Sequence, residues 1–294
     1  MTEKMAHDVG PAKIDIAYAC HGNPANPAVL LIMGVGGQMI AWSEGFIEQL
    51  VSKGLHVVCF DNRDAGLSTH FHDNPLPDLP AALKGDFSSV GYTLSDMAAD
   101  ALGLLDFLGI SRAHIVGLSM GGYIGQTLAI EHPERVLSLV SMMATTGAAN
   151  VGQPDPAVLS AMSQAAGEGR EAAAEAALRV FRIIGSPAFP TPDEVVRGRT
   201  LRAYDRARDV LGVARQAIAS VASGDRTEKL KTLTVPTLVI HGDSDKMCDV
   251  SGGRATAAAI PGARLEIIEG LGHDLPEQLW PRLAELIAQE TRAA

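Results

Sequence analysis

Short apolar runs alternate with amphipathic stretches along the first half of the chain. Four runs are almost continuously apolar, as expected of strands covered on both faces of a sheet, and "KIDIAYA" precedes them as a further strand. Helical patterns such as "WSEGFIEQLVSKG", with Gly54 as its C-terminal cap, separate the runs. This alternation predicts an α/β fold with a mostly parallel sheet. The four apolar runs are "PAVLLIM", "LHVVCF", "AHIVGL" and "VLSLVSMMA".

The middle of the chain, residues 147–225, has a different pattern. It carries helical runs rich in Ala and Arg, the longest a continuous helical pattern at 191–222; prolines punctuate the segment, and it lacks a strong strand signal. After it the α/β pattern returns with the strands "TVPTLVIHG" and "ARLEIIEG". We therefore predict a core made of residues 1–146 and 226–294, and a helical cap at 147–225.

Composition and charge narrow the possible partners and location. Hydrophobic residues make up 47% of the 294 residues, enough for a sizeable core, and the net charge of -10 argues against nucleic acid. No apolar leader precedes the first strand and the longest apolar run is too short for a bilayer, so we expect a cytoplasmic protein without membrane contact. The three cysteines lie far apart and indicate neither a disulfide framework nor a zinc site.

The segment "GLSMG", residues 117–121, is the strongest chemical signal. It fits G-x-S-x-G and stands between a predicted strand and a helical pattern, the context of a strained nucleophile turn. A chance glycine-rich turn is the alternative, since the chain has 30 glycines and "AGLST" is a near match. We predict that Ser119 is the nucleophile.

A serine needs a base, and His273 is the best placed of the nine histidines. It follows the last predicted strand in the glycine-containing loop "EGLGHDLPE", at the strand end where ligands bind in such sheets. His70 and His72 could form a metal pair, but no third ligand stands at a suitable spacing, so we expect an ordinary loop there and no metal. The other histidines lie near termini or within strand and helix patterns.

The orienting acid is expected in "HGDSDKM", which offers Asp243 and Asp245. We predict Asp245, because the longer loop lets its side chain fold back toward His273, whereas Asp274 is adjacent to that histidine in sequence. For the oxyanion we expect the N–H of Met120 and that of Val35, in the glycine-rich loop "IMGVGGQM".

These motifs together resemble an α/β-hydrolase with a helical cap inserted after the sixth strand. Within that superfamily the chain is most similar to the group containing aclacinomycin methylesterase, on "LLIMGVGGQMIAW", "FDNRDAGLST", "VGLSMGG", "HGDSDKM" and "GLGHDLP". Met33 replaces the histidine usual before the oxyanion glycine, as it does in that group. The resemblance implies a Ser119–His273–Asp245 triad that hydrolyses carboxylic esters through an acyl-enzyme, without a cofactor.

We expect a small to medium apolar ester as substrate, bound between the sheet edge and the cap. Candidate lining residues are Gly34, Met39, Trp42, Met142, Met143 and Met162, although the apolar ones could equally fill the core. Oligomeric state stays open.

Other readings of the same residues remain possible. A perhydrolase, a lactonase or a C–C bond hydrolase would use the same triad, and a non-catalytic small-molecule binder would share the fold. A dinucleotide site is disfavoured, because Gly34 and Gly36 fit the G-x-G-x-x-G fingerprint but Met39 occupies its third glycine position.

Overall fold

The computed structural model describes residues 2–165 and 167–294, whose core is one eight-stranded sheet. The strand order is β1-β2-β4-β3-β5-β6-β7-β8. Strands β3 to β8 run parallel to one another, whereas β2 is antiparallel to both of its neighbours, β1 and β4. The strands are β1 Lys4–Val9, β2 Ile14–His21, β3 Ala28–Ile32, β4 His56–Phe60, β5 Ala113–Leu118, β6 Val136–Met142, β7 Thr237–Gly242 and β8 Arg264–Ile268.

Helices cover both faces of this sheet because its central strands are apolar on both sides. Along β3, Leu30 and Ile32 enter one buried apolar cluster with the helices that begin at Leu94 and Met120. Val29 and Leu31 enter another with the helices that begin at Glu44 and Trp280. This arrangement confirms the predicted fold class. The helices outside residues 147–225 are α1 Glu44–Ser52, α2 Leu79–Ala82, α3 Leu94–Phe107, α4 Met120–Glu131, α9 Thr227–Leu230, α10 Ser251–Ala259 and α11 Trp280–Ala293.

A helical insertion, residues 147–225, follows the sixth strand. Its helices are α5 Pro156–Ser163, α6 Arg170–Ile184, α7 Asp193–Arg206 and α8 Val210–Ala222. The division of the chain into a core and a cap stays a prediction. None of the helices in the described part of the chain has the length and hydropathy needed to span a bilayer.

Two local features differ from the sequence pattern. Strand β1 is absent from the predicted strands because half of its six residues are polar and only two are buried, as suits an edge strand that shields few apolar positions. The run 191–222, predicted as continuously helical, is split into α7 and α8. The break occurs because Ala207 is extended and the Asp209 side chain accepts the Gly212 N–H, which caps a new helix.

Buried charges in the loop after β4 tie the insertion to the sheet. Asp64 forms two hydrogen bonds of 2.8 Å with Arg215 of α8. Asp61 lies 2.7 Å from the guanidinium of Arg206, at the end of α7. Removing one partner of such a buried pair typically costs about 3–5 kcal/mol, because the other charge is left buried and unpaired. The loop therefore fixes where α7 and α8 sit above the carboxyl ends of the strands.

Candidate active site

The chain reverses sharply at Ser119, between β5 and α4. Ser119 has φ of 55° and ψ of -121°, a region that costs a non-glycine residue on the order of 1–3 kcal/mol. Neighbouring glycines allow the reversal. A Cβ added at Gly117 would lie 2.1 Å from the Gly121 carbonyl oxygen, and one at Gly121 would lie 2.0 Å from the Ile32 carbonyl oxygen. The Ser119 side chain is thereby held, partly exposed, at the N-terminus of α4.

A tight turn after β3 faces this serine. The Gly37 N–H donates to the Gly34 carbonyl at 3.0 Å, and Gly36 adopts a φ of +67° that favours glycine. A Cβ on Gly34 would come within 3.1 Å of the Ser119 Cβ, so the turn and the serine are in close contact. The Val35 N–H is not used to close this turn. The N–H of Met120, the first residue of α4, has no acceptor within its helix.

The insertion and the loop after β4 hold the turn in place. The Gly36 N–H donates to Gln216 Oε1 at 2.7 Å, and Gln216 Nε2 donates to the Arg63 carbonyl at 2.6 Å. Asn62 Nδ2 donates to the Met33 carbonyl at 3.0 Å. Gln216 is fully buried in α8. Its contact with a turn 180 positions away gives no signal in the local sequence, and our sequence analysis missed it.

The loops after β7 and β8 bring a carboxylate and an imidazole together. His273 Nδ1 lies 2.7 Å from Asp245 Oδ2, and Asp245 Oδ1 accepts the N–H groups of Met247 and Cys248 at 2.9 and 2.8 Å. Because the carboxylate oxygen is an acceptor, Nδ1 is assigned the proton and Nε2 is left to accept another.

The surroundings of Asp245 keep it ionised. Burial by itself would raise its pKa, but the charge of His273 and hydrogen bonds from His241, His273 and the Cys248 N–H outweigh burial, and they lower the pKa to about 2. His241 is fully buried; its Nε2 lies 2.7 Å from the Cys248 carbonyl and 3.4 Å from Asp245 Oδ2. This histidine, which the sequence analysis did not single out, thus packs beneath the carboxylate and helps to fix it.

The two other candidate acids have different partners. Asp243 Oδ1 accepts the Gly270 N–H at 2.7 Å, which joins the loops after β7 and β8. Asp274 is buried and accepts both the N–H and the hydroxyl of Ser186, a residue of the insertion. Ser186 Oγ in turn accepts the Gly272 N–H at 2.9 Å. The loop that carries His273 is therefore anchored to the insertion as well as to Asp245.

The site groups meet at one edge of the sheet. Ser119, Asp245 and His273 all follow the carboxyl ends of parallel strands. Within residues 2–165 and 167–294 the Ser119 hydroxyl makes no hydrogen bond, so only Asp245 and His273 are directly joined. Such contacts are often long in free enzymes and tighten on substrate binding. The arrangement supplies an exposed hydroxyl, a base with an anionic partner and two free N–H groups.

Comparison with known proteins identifies the family. Residues 20–278 match the model of the alpha/beta hydrolase fold family. The chain belongs to this family. It is 31% identical to a rhodomycin D methylesterase from Streptomyces peucetius, with 93% of each chain covered, and 30% identical to one from another Streptomyces strain, also over 93% of each. These relatives confirm the predicted resemblance, and the chain is a hydrolase of the esterase type.

A solved esterase structure shares this fold. The esterase RhEst1 from Rhodococcus sp. ECU1013 superposes with a TM-score of 0.76 at 22% identity, covering all of this chain and 99% of its own. The α/β-hydrolase architecture described above is thus shared over the full length of both chains.

The residues predicted to line the pocket lie in different environments. Met39, Trp42, Met142 and Met143 are fully buried in the apolar cluster beneath α1 and α11, whereas Met162 is exposed on α5. Gly34 lies against Ser119. Their roles as substrate contacts stay predictions, but four of the five apolar side chains present no surface to solvent.

Two cavities flank the site. One of about 490 Å³ lies behind the acid loop and is lined by Asp243, Asp245 and residues of 181–193. The other, about 210 Å³, lies between the turn at Gly36 and helices α7 and α8. Neither cavity is lined by Ser119 or His273; the first reaches the site at Asp245 and the second at Gly36.

Substituting Gly121 tests the close packing at the elbow. We expect Gly121→Ala to lower the free energy of unfolding by about 1–3 kcal/mol or more, because backbone must move to admit the methyl group. Gly125→Ala, on the same helix, is the matched control. Its Cβ would meet only side-chain carbons of Leu139 and Ile115, 3.0 and 3.1 Å away, so its stability should stay within about 1 kcal/mol of wild type. Urea unfolding measures both, and equal losses would contradict the packing argument.

Acid titration tests the environment of Asp245. Its folded pKa of about 2 lies below the ordinary aspartate value of 3.8, so its ionisation stabilises the fold above pH 4 and this contribution disappears as the pH falls toward 2. The contribution is about 2 kcal/mol. We therefore expect the stability difference between wild type and Asp245→Asn to shrink across that window, measured by urea unfolding at each pH. A difference that stays constant from pH 5 to pH 2 would show that Asp245 is not held ionised.

Proposed function

We propose that the chain is a serine carboxylic-ester hydrolase in which Ser119 is the nucleophile, His273 the general base and Asp245 its orienting acid. The observation that carries the proposal is the strained backbone of Ser119, which places its hydroxyl at the helix N-terminus beside the Gly34 turn. The hydrogen bond of 2.7 Å between His273 and Asp245 supports it, because that bond leaves Nε2 free to accept the serine proton.

In the proposed reaction, Ser119 Oγ attacks the ester carbonyl while His273 Nε2 takes its proton. The N–H groups of Val35 and Met120 donate to the oxygen that becomes negative. His273 then protonates the leaving alcohol as the carbon–oxygen bond breaks. Water, activated by the same imidazole, hydrolyses the acyl-serine and restores the free hydroxyl.

Neither Ser119 nor His273 lines the cavity of about 210 Å³ beside the turn at Gly36, so its volume does not determine the size of the substrate. The small to medium apolar ester expected from the sequence stays a prediction. The names of the two methylesterase relatives add support for a methyl ester. A perhydrolase, a lactonase or a C–C bond hydrolase would use the same triad, and no contact described above favours one of them over an ester hydrolase.

Loss of the Ser119 hydroxyl should abolish turnover. We expect Ser119→Ala to lower the kcat for p-nitrophenyl acetate at least about 10³-fold, because no other group would form the acyl-enzyme. Release of p-nitrophenol measures this, and release of methanol from a small methyl ester tests the alcohol preference. Circular dichroism confirms equal folding, and Ser163→Ala, which replaces a serine in α5, should retain full activity.

The outcomes separate the nucleophile from the reaction class. Full activity in Ser119→Ala would overturn the role of the serine. If the wild type is inactive and a fluorophosphonate does not label Ser119, the conclusion is that the chain is a non-catalytic binder of the same fold. Labelling of Ser119 without ester turnover would instead direct the search to lactones and C–C bonds.

Gln216 should affect the rate of ester hydrolysis through the turn at Gly36, which carries the Val35 N–H. Gln216→Met keeps the side-chain volume but removes the acceptor of the Gly36 N–H, so the Val35 N–H next to it loses its fixed position. We expect kcat to fall roughly ten- to a hundredfold, with little change in KM.

Gln126→Met provides the matched control. Gln126 is as buried as Gln216 and forms two side-chain hydrogen bonds, with Ser141 and Arg226. We expect this variant to lose stability but to keep its kcat once folded. Similar losses of kcat in both variants would show that the effect of Gln216 is general destabilisation.

A further inference from the structure

The loop after β4 and the start of α8 bring two histidines and an aspartate together. His70 and His72 belong to the loop, and Asp209 caps α8, 139 residues after His70. His70 Nδ1 lies 2.8 Å and His72 Nδ1 3.8 Å from the same atom, Asp209 Oδ2, and one potential ligand atom of each residue lies within 4.8 Å of those of the other two. The third ligand that the sequence spacing did not offer is therefore present in the fold.

The contacts of His70 call for a positive charge on its Nδ1 side. Its Nε2 lies 3.0 Å from the Gly66 carbonyl, an oxygen that can only accept, so Nε2 carries a proton. Nδ1 of a neutral ring would then point its lone pair at the Asp209 carboxylate, which is repulsive. A second proton on the ring or a metal ion between Nδ1 and Oδ2 removes that repulsion. A ring N–H donated to a backbone carbonyl is also the usual support of a metal-binding histidine.

The rings of His70 and His72 are stacked, so binding one ion through both requires the His72 ring to turn. The ring centroids are 5.5 Å apart and the planes are inclined by 9°. Because a metal ion lies in the plane of each imidazole that binds it, the exposed His72 ring must rotate out of the stack before both Nδ1 atoms direct their lone pairs at one ion.

The charged groups around Asp209 do not fully neutralise its carboxylate, which favours binding of a cation. Arg215 donates to Asp209 Oδ2 at 2.8 Å, but the same guanidinium also makes two hydrogen bonds with Asp64. One positive charge thus faces two carboxylates, and the cluster carries a net negative charge before any metal is added. Asp209 Oδ1 is occupied by the Gly212 N–H, which leaves Oδ2 as the ligand atom.

We propose that His70 Nδ1, His72 Nδ1 and Asp209 Oδ2 bind a divalent transition-metal ion of the zinc type. Imidazole nitrogen and carboxylate oxygen are zinc ligands at about 2.0–2.2 Å, and four-coordination leaves one position for solvent. His72 is 68% exposed and can move the short distance that closes the site, while Asp209 and His70 are held by the protein. The ion joins the loop after β4 to α8, at the rim of the cavity lined by Gly66 and Asp209.

Zinc titration of untagged, chelator-treated full-length chain tests the site. We expect isothermal titration calorimetry to give one zinc per chain and the melting temperature to rise with zinc concentration, because the ion binds only the folded arrangement. His72→Ala should weaken zinc binding at least tenfold, and Asp209→Asn, which retains an oxygen to cap Gly212, should weaken it similarly. Magnesium should give no such stabilisation, since it binds oxygen ligands.

His7→Ala is the matched control. His7 is also 68% exposed and also pairs with a carboxylate, that of Asp15 at 3.0 Å, so its loss removes a comparable histidine outside the proposed site. It should bind zinc as wild type does. No saturable zinc binding by wild type, or equal affinity in wild type and His72→Ala, would overturn the site, as would an equal loss in His7→Ala and His72→Ala.

Discussion

The close approach of the main chain to itself at the elbow is the constraint on which the site depends. Helix α4 begins so near the ends of β3 and β5 that no Cβ fits at Gly117 or Gly121. This contact forces Ser119 into its strained conformation and directs the free N–H groups of α4 at the sheet edge. It also determines where the turn after β3 can lie. One packing contact therefore sets the Ser119 hydroxyl beside the turn at Gly34 and at the start of α4.

Buried ion pairs in the loop after β4 are the second feature that positions the structure around the site. Asp61, Arg63 and Asp64 are all buried in the loop after β4, and each has a charged partner on a different element. The partners are Arg206 of α7, Asp100 of α3 and Arg215 of α8. Since an unpaired buried charge is costly, the two pairs with α7 and α8 restrict where the insertion can lie over the sheet.

The insertion in turn contributes to the site itself. Gln216 holds the turn at Gly36, and the Ile184 carbonyl accepts the His273 N–H at 2.7 Å. Ser186 bridges Gly272 and Asp274. The helices at 147–225 therefore fix the backbone of both loops that flank the serine, in addition to covering them. A change of substrate preference through the insertion would be expected to alter the reaction rate as well.

The sequence allowed prediction of those parts of the fold whose signals are local. The apolar runs of β3 to β6, the glycines around Ser119 and the helix caps all act within a few residues, so periodicity and turn chemistry revealed them. Strand β1 was missed because half of its residues are polar and its edge position buries only two of them. The break at Asp209 was missed because one capping side chain ends a helical pattern that otherwise continues. Contacts of Gln216, Ser186 and His241 with the site span the chain or depend on packing, and no spacing rule indicates them.

Loop length favoured Asp245 among three aspartates, and the donors around each carboxylate give the physical reason. Asp243, Asp245 and Asp274 accept hydrogen bonds from different segments. Asp243 receives the Gly270 N–H and Asp274 receives Ser186, so both already serve to join segments. Asp245 receives two N–H groups from its own turn on one oxygen, which directs the other oxygen at the imidazole. The donors that surround each carboxylate, rather than its distance along the chain, therefore determine which one can orient the base.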